Sequence, residues 1–346
     1  MIFGDIDTSI YDEKGVTMKR VAYLLLCAGL VVTAFAGCKS KYSGIIKETR
    51  PRPTITEEVE TDEDGNEVYL GSITWKLDGT TLTFSGDGTI DGKKGDELAE
   101  WQKGVGELTK IETVVIEDGI VEIGESAFSG CTNLSSVTIA DSVEEIGKGS
   151  FRGCVKLTEI TIPKSVKTVA NNAFTGCSGL VAVEISDGVE KLGDNVFYGC
   201  TALTEVVIPE SVTSLGAFAF SGCTSLVDVT IPTGVTKFDR GTFASCSSLE
   251  QLEIPNSITS IGTDVFNNCT SLKTIVIPDS CTMISAAAFA KCTSLERIEI
   301  PASVTFIAEK LFEDVPEGFT IYGEAGSKAE EYAAGYATPL NFEVKE

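Results

Sequence analysis

Apolar and polar positions between residues 114 and 323 follow a unit that recurs every 23 residues. One unit, 203–223, reads LTEVVIPESVTSLGAFAFSGC. Val206 and Ile208 alternate with Glu205 and Val207, which predicts a short strand with one buried face. Pro209 ends that strand, because Pro has no N–H for a ladder. Six of the ten Pro share this column, namely Pro163, Pro209, Pro232, Pro255, Pro278 and Pro301. Ser211 falls in a Ser/Gly column suited to a tight turn. Val212 and Leu215 then point inward from a second extended segment, Gly216 allows another turn, and Phe220 enters as a large core plug. Gly222 shares its column with Gly130, Gly153, Gly176 and Gly199, where positive φ is expected. Ser245 and Lys291 break that column, so altered or strained turns are expected there.

Three columns keep the period in step. Cysteine recurs at Cys131, Cys154, Cys177, Cys200, Cys223, Cys246, Cys269 and Cys292, phenylalanine from Phe128 to Phe312, and leucine from Leu134 to Leu295. Ordering one 23-residue unit, at about 1–2 kcal/mol per residue, outweighs burying the few apolar side chains it owns. Units must therefore stack, each burying its face on the next. The expected fold class is a mainly β solenoid of about nine coils over 114–323. An N-terminal cap is expected over 68–113, where Ile73, Trp75 and Leu77 alternate before Asp78-Gly79 and Leu82 and Phe84 alternate after it, a hairpin signature. Trp75 and Trp101 are expected to cover the first coil. A C-terminal cap is expected over 324–346: Ser327 and Glu330 have capping-box spacing, a short helix stops near Gly335, and Leu340, Phe342 and Val344 alternate as a closing strand.

The amino terminus has a different organisation. Residues 18–37 carry Lys19 and Arg20, then a nearly continuous apolar stretch from Val21 to Ala36, and Cys38 follows Gly37. The stretch is short for a membrane span and has the layout of a secretory signal. Ending on Ala-Gly-Cys, with Phe35 where Leu is usual, it resembles a bacterial lipoprotein signal, which implies cleavage before Cys38 and lipidation of its thiol. An ordinary signal peptide with an incidental Cys is the alternative. Residues 1–17 are acidic, opposite to an export n-region, and are read as an upstream extension with the true start at Met18. Residues 38–67 hold two Pro and seven carboxylates between Glu57 and Glu67 with no Lys or Arg there. They are read as an acidic, solvated tether.

Composition narrows the function classes. The 346 residues carry 51 Asp+Glu against 27 Lys+Arg, a net charge of -24, and no His. Nucleic-acid binding, which needs clustered cations, is excluded. So are Ser-His-Asp and Cys-His catalysis and His-ligated zinc. No phosphate loop or paired-carboxylate motif stands in a pocket-forming context. No catalytic residue, cofactor or metal is expected.

Three constellations invite chemistry and have plainer explanations. Cysteines at equivalent positions of stacked coils lie about one strand spacing apart, beyond disulfide reach, so buried free thiols are expected over bridges. The turn carboxylates Asp118, Asp141, Asp187, Glu210 and Asp279 could collect Ca²⁺, but Lys164, Thr233, Asn256 and Ala302 interrupt them, and a turn-forming polar column is expected. The outward strand positions, among them Thr158, Glu159, Thr161, Thr204, Glu205, Asp228, Thr230, Glu250, Gln251, Glu253, Glu296, Arg297 and Glu299, form a Thr- and Glu-rich face with no aromatic platform for sugar rings. A protein could dock there, and no individual binding residue stands out.

The repeat resembles the 23-residue leucine-rich repeats of BspA-like surface proteins. Its pattern, Leu-x-x-Ile-x-Ile-Pro-x-x-Val-x-x-Ile-Gly-x-x-Ala-Phe-x-x-Cys, spans roughly residues 70–346. Departures are local: Ala140 and Ser186 for Pro, Cys281 for Val, and Asn267-Asn268 for x-Gly. The resemblance implies a right-handed leucine-rich-repeat array exposed on the bacterial cell envelope. It also implies adhesion to host matrix proteins or other microbial surface proteins, with the membrane reached through the lipid anchor. A non-adhesive envelope spacer is the alternative, and a hydrolase with an unrecognised site the third reading.

Overall fold

The computed structural model describes residues 59–61, 67–69, 73–92, 97–335 and 339–345. Its body is a β solenoid of about ten turns. The coils place short strands in two sets of parallel ladders whose register steps by the sequence period. In the first ladder Val114 faces Val137, Ile160 faces Val183 and Ile298 faces Ile321. In the second Val169 faces Leu192 and Ile261 faces Ile284. Alternation within the first strand has the expected sense: in Glu205–Val207 the central Val206 is buried and its neighbours are exposed.

The interior is filled by the periodic columns. Phe128, Phe151, Phe174, Phe197, Phe220, Phe243, Phe266, Phe289 and Phe312 form a continuous stack, with adjacent ring centroids 5.3–6.0 Å apart and planes within 25° of parallel. This spacing exceeds that of the strands because the rings are offset.

Two columns of the repeat take left-handed backbone. One column is that of Gly222 (φ 75°), and it continues through Ser245, Asn268, Lys291 and Asp314 at φ 56–63°. The turns at Ser245 and Lys291 thus keep the conformation and accept a side chain in it. The other column runs Ser126, Gly149, Asn172, Asn195, Phe218, Gly241, Asp264, Ala287 and Lys310, all at φ 53–62°. It is not apparent in the sequence, since only two of its members are Gly.

At the N-terminal end Ile73–Asp78 pairs antiparallel with Thr81–Gly86 around Gly79, which has φ 62°. The second hairpin strand also pairs in parallel with Thr113–Ile116, and Gly88–Ile90 pairs with Ile120–Ile123. The cap therefore supplies a turn to both ladders, which brings the array to about ten turns rather than nine. Trp101, on the helix Glu100–Val105, sits edge-on to Phe84 with centroids 5.3 Å apart, and its Nε1–H donates to Asp91 O at 2.6 Å. Trp75 lies over Gly104, where an added Cβ would come 2.6 Å from its ring. Both tryptophans lie at this end, as expected.

At the other end Lys328–Gly335 is helical and Ser327 Oγ accepts from Glu330 N at 3.4 Å. The Glu330 carboxylate accepts from Gly326 N at 2.6 Å, one residue before the position a strict capping box would use. Asn341–Val344 pairs in parallel with Thr320–Gly323. Val344 is exposed rather than buried. Within the acidic segment Val59–Thr61 pairs antiparallel with Glu67–Tyr69. Residues 1–17, the signal segment 18–37 and the lipidation candidate Cys38 lie outside the described residues.

Candidate interaction surface

The first-strand ladder presents three outward columns to solvent. Equivalent positions run through Thr158, Val181, Thr204, Val227, Glu250, Lys273 and Glu296, through Glu159, Ala182, Glu205, Asp228, Gln251, Thr274 and Arg297, and through Thr161, Glu184, Val207, Thr230, Glu253, Val276 and Glu299. Carboxylates are the commonest side chains on this face. Lys273 is engaged by Glu250 at 2.7 Å, and Arg297 contacts Glu299 at 3.4 Å while lying over the Tyr322 ring. Valines are scattered among them, with Val207 66% and Val276 55% exposed. The face is thus acidic and mixed, as the residue pattern predicted.

The ladder along this face is interrupted twice. Ser136–Ile139 and Glu159–Ile162 belong to different sheets, although both remain strands. The second interruption is deeper. Asp228–Thr230 ends one sheet and Thr274–Val276 begins the next, and residues 251–254 between them form no strand. The N–H and C=O groups of Gln251, Leu252, Glu253 and Ile254 take part in no backbone hydrogen bond. A groove of about 1060 Å³ lies there, lined from Val227 to Ile231, from Gln251 to Asn256 and from Thr274 to Val276. Asp228 and Glu253 are its charged lining residues.

The preceding coil has two departures from the repeat. Phe238 occupies the second-strand column held elsewhere by Ile123, Ile146, Val169, Leu192, Leu215, Ile261, Ile284 and Ile307. Its buried ring stands at right angles to Phe243 and Phe266, at 5.4 and 6.2 Å. Asp239 occupies a column otherwise made of Gly, Ala or Ser; a Cβ on its equivalent Gly216 would lie 2.4 Å from backbone of the coil before. In the same coil two recurrent bonds are missing. Thr213 N donates to Glu190 O and Gly216 N to Leu192 O, but Thr236 N and Asp239 N make no such bond to the coil before them. A bulky ring inside and a side chain in a close-approach column both oppose tight stacking.

The other constellations resolve as packing. The nine cysteines among the described residues are free and buried. Seven thiols of the ladder each donate to the carbonyl of the Phe 26 residues earlier, as in Cys200 to Phe174 at 3.3 Å and Cys246 to Phe220 at 3.2 Å. Burial pushes Cys131, Cys223 and Cys292 up to about 12, so none is a ready nucleophile or ligand. In the turn carboxylate column, Glu210 accepts from both N–H and Oγ1–H of Thr233, and Asp141 pairs with Lys164 at 3.8 Å. Residues that interrupt this column thus serve as partners one coil on. Among the described residues no group of three or more His, Cys, Asp or Glu is placed to hold a metal ion. Nor is any helix there long and apolar enough to cross a membrane.

The family model described as BspA type leucine rich repeat region matches in six copies, over residues 106–217 and 190–317. No protein of curated function matches the chain. Similar solved structures include a leucine-rich repeat protein of T. pallidum, 26% identical, with 64% of this chain and 91% of that chain covered and a TM-score of 0.46. Another is a leucine-rich cell surface protein of Faecalibacterium prausnitzii, 28% identical, with coverage of 79% and 96% and a TM-score of 0.36. A third, from Bacteroides ovatus, is 21% identical, with coverage of 81% and 100% and a TM-score of 0.42.

Proposed function

Because the chain belongs to the BspA-type leucine-rich repeat family, we propose that it is a non-catalytic scaffold that binds proteins through its outward strand face, displayed on the bacterial cell envelope. The observation that carries this reading is the face itself. It is a row of exposed Thr, Val and carboxylate side chains, repeated over many coils on a packed core. Such arrays bury an extended partner surface without forming an enclosed pocket. A similar chain from F. prausnitzii is described as a cell surface protein, which supports the same location here. Lipidation of Cys38 would anchor the chain. In that arrangement it serves as an adhesin for host matrix proteins or other microbial surface proteins.

Protease shaving of intact cells tests the location. A surface-exposed array is removed without lysis. An array that survives shaving and is cleaved only after the envelope is opened is an internal spacer instead.

A further inference from the structure

We infer that the turn side of the array carries a binding site for neutral, β-linked oligosaccharides, built on Tyr198 and Phe218. It is separate from the strand face, which has no aromatic platform. Both residues are aromatic departures from their columns. Tyr198, 45% exposed, stands where the other coils carry Ser, Thr, Ala, Asn, Arg or Glu. Phe218 is half-buried in the second left-handed column, at φ 55°, a conformation rare for a bulky side chain. Neither ring belongs to the apolar core.

The surroundings hold both rings and add polar groups. The Phe218 ring lies over Gly241, where an added Cβ would come 2.3 Å from it, so this glycine leaves room for the ring. Arg240 lies 5.7 Å from the ring centre and is itself held by Asp264 at 3.2 Å. Phe197 N donates to Ala219 O and Gly199 N to Ser221 O, which sets Tyr198 beside the turn that carries Phe218. Asn195 joins the two. It is the equivalent of Phe218 one coil earlier, and its carbonyl accepts from Tyr198 N at 3.1 Å. The Asn195 side-chain amide makes no hydrogen bond among the described residues, and it offers both donors and an acceptor. Beside it the Asp194 carboxylate accepts from Ala217 N at 2.9 Å.

These groups select the ligand. The C–H faces of a pyranose pack on aromatic rings, and a free amide bonds neighbouring hydroxyls. β-Linked glucose units carry every ring substituent equatorial, so they present C–H bonds on both faces, and rings on successive coils serve successive units. Asp194 and Asp264, on a chain of net charge -24, disfavour acidic glycans. The desolvated centre of a protein interface is apolar and poor in charge, whereas amide, carboxylate and guanidinium groups border these rings. A neutral sugar chain therefore fits better than a protein.

The test is calorimetric titration of the protein with cellotetraose, with its α-linked isomer maltotetraose and with the acidic tetragalacturonate. Cellotetraose should bind, and the other two at least about tenfold more weakly. The double variant Tyr198→Ser, Phe218→Asn gives each column a residue it already carries at Ser221 and Asn195, so the fold is kept. It should bind cellotetraose at least about tenfold more weakly. A Glu159→Lys, Glu205→Lys, Asp228→Lys variant, altered on the strand face alone, should bind cellotetraose as the protein does. The inference is overturned if cellotetraose fails to bind at about 10 mM, if either comparison sugar binds as tightly, or if the double variant retains binding. It is also overturned if the double variant loses matrix-protein binding in place of sugar binding, since the rings then serve a protein partner.

Discussion

The thiol of Cys177 donates to the backbone carbonyl of Phe151 at 3.1 Å, and the same bond recurs coil after coil. It ties a side chain of one turn to the backbone of the turn before, beside the stacked rings. The cysteine column is thus a set of inter-coil fasteners rather than a redox device.

This gives the protein an alkaline limit. Burial holds the thiols of Cys131, Cys223 and Cys292 near 12, above the ordinary thiol value of 9.0. The unfolded chain releases those protons above about pH 9 while the folded chain retains them until about pH 12. Stability is therefore unaffected by these groups below pH 9 and falls across the window from 9 to 12, at up to about 1.4 kcal/mol per pH unit for each thiol. Urea midpoints from pH 7 to 11 check this. A Cys131→Ala, Cys223→Ala, Cys292→Ala variant should be less stable at pH 7 and should show a shallower alkaline fall.

The aromatic stack should behave as the spine of the array. Phe197 lies 5.6 Å from both Phe174 and Phe220. Phe197→Ala should cost about 3–5 kcal/mol. Its neighbour Tyr198 is exposed, and Tyr198→Ala should stay within about 0.5 kcal/mol. Urea unfolding of the two variants, compared by midpoint and slope, measures the contrast.

Left-handed turns offer a stabilising change. Lys291 has φ 59°, a conformation that costs a side-chain-bearing residue about 1–2 kcal/mol. Part of this is offset by the greater freedom of Gly in the unfolded chain. Lys291→Gly should therefore raise stability by about 0.5–1 kcal/mol. In the same column, Gly222→Ala should lower it by about 1 kcal/mol through backbone strain, since the nearest atom to an added Cβ is Gly199 Cα at 3.5 Å. Thermal denaturation of both variants settles the sign.

Arg240 shows how little an exposed pair adds. Its guanidinium meets Asp264 at 3.2 Å and lies 5.7 Å from the centre of the Phe218 ring. With the Arg side chain largely in solvent, Arg240→Ala should cost less than about 1 kcal/mol, and raising the salt concentration should shrink that difference. A denaturation series in NaCl reads it directly.

Much of the architecture was legible in the residue pattern because each buried column keeps its step. Alternation around Val206, the Pro209 stop and the Phe220 plug translate directly into strand, turn and core. The second left-handed column was not legible, since Asn, Ser, Ala and Lys hide it and Gly149 and Gly241 alone mark it. The broken ladder was also hidden. Phe238, apolar in an apolar column, does not announce its right-angle contacts with Phe243 and Phe266. Residues 251–254 keep the strand pattern yet make no ladder. The outward strand face was anticipated as a Thr- and Glu-rich surface, but the groove within it has no mark in the residue pattern, since residues 251–254 keep the alternation.

The central claim is that the strand face binds protein. The most direct measurement probes immobilised host matrix and bacterial surface proteins with the protein and with a Glu159→Lys, Glu205→Lys, Asp228→Lys variant, whose changes lie on that face alone. The account predicts saturable binding by the protein and a loss of at least about tenfold in the variant. Equal binding by the two proteins, or none by either, would contradict it.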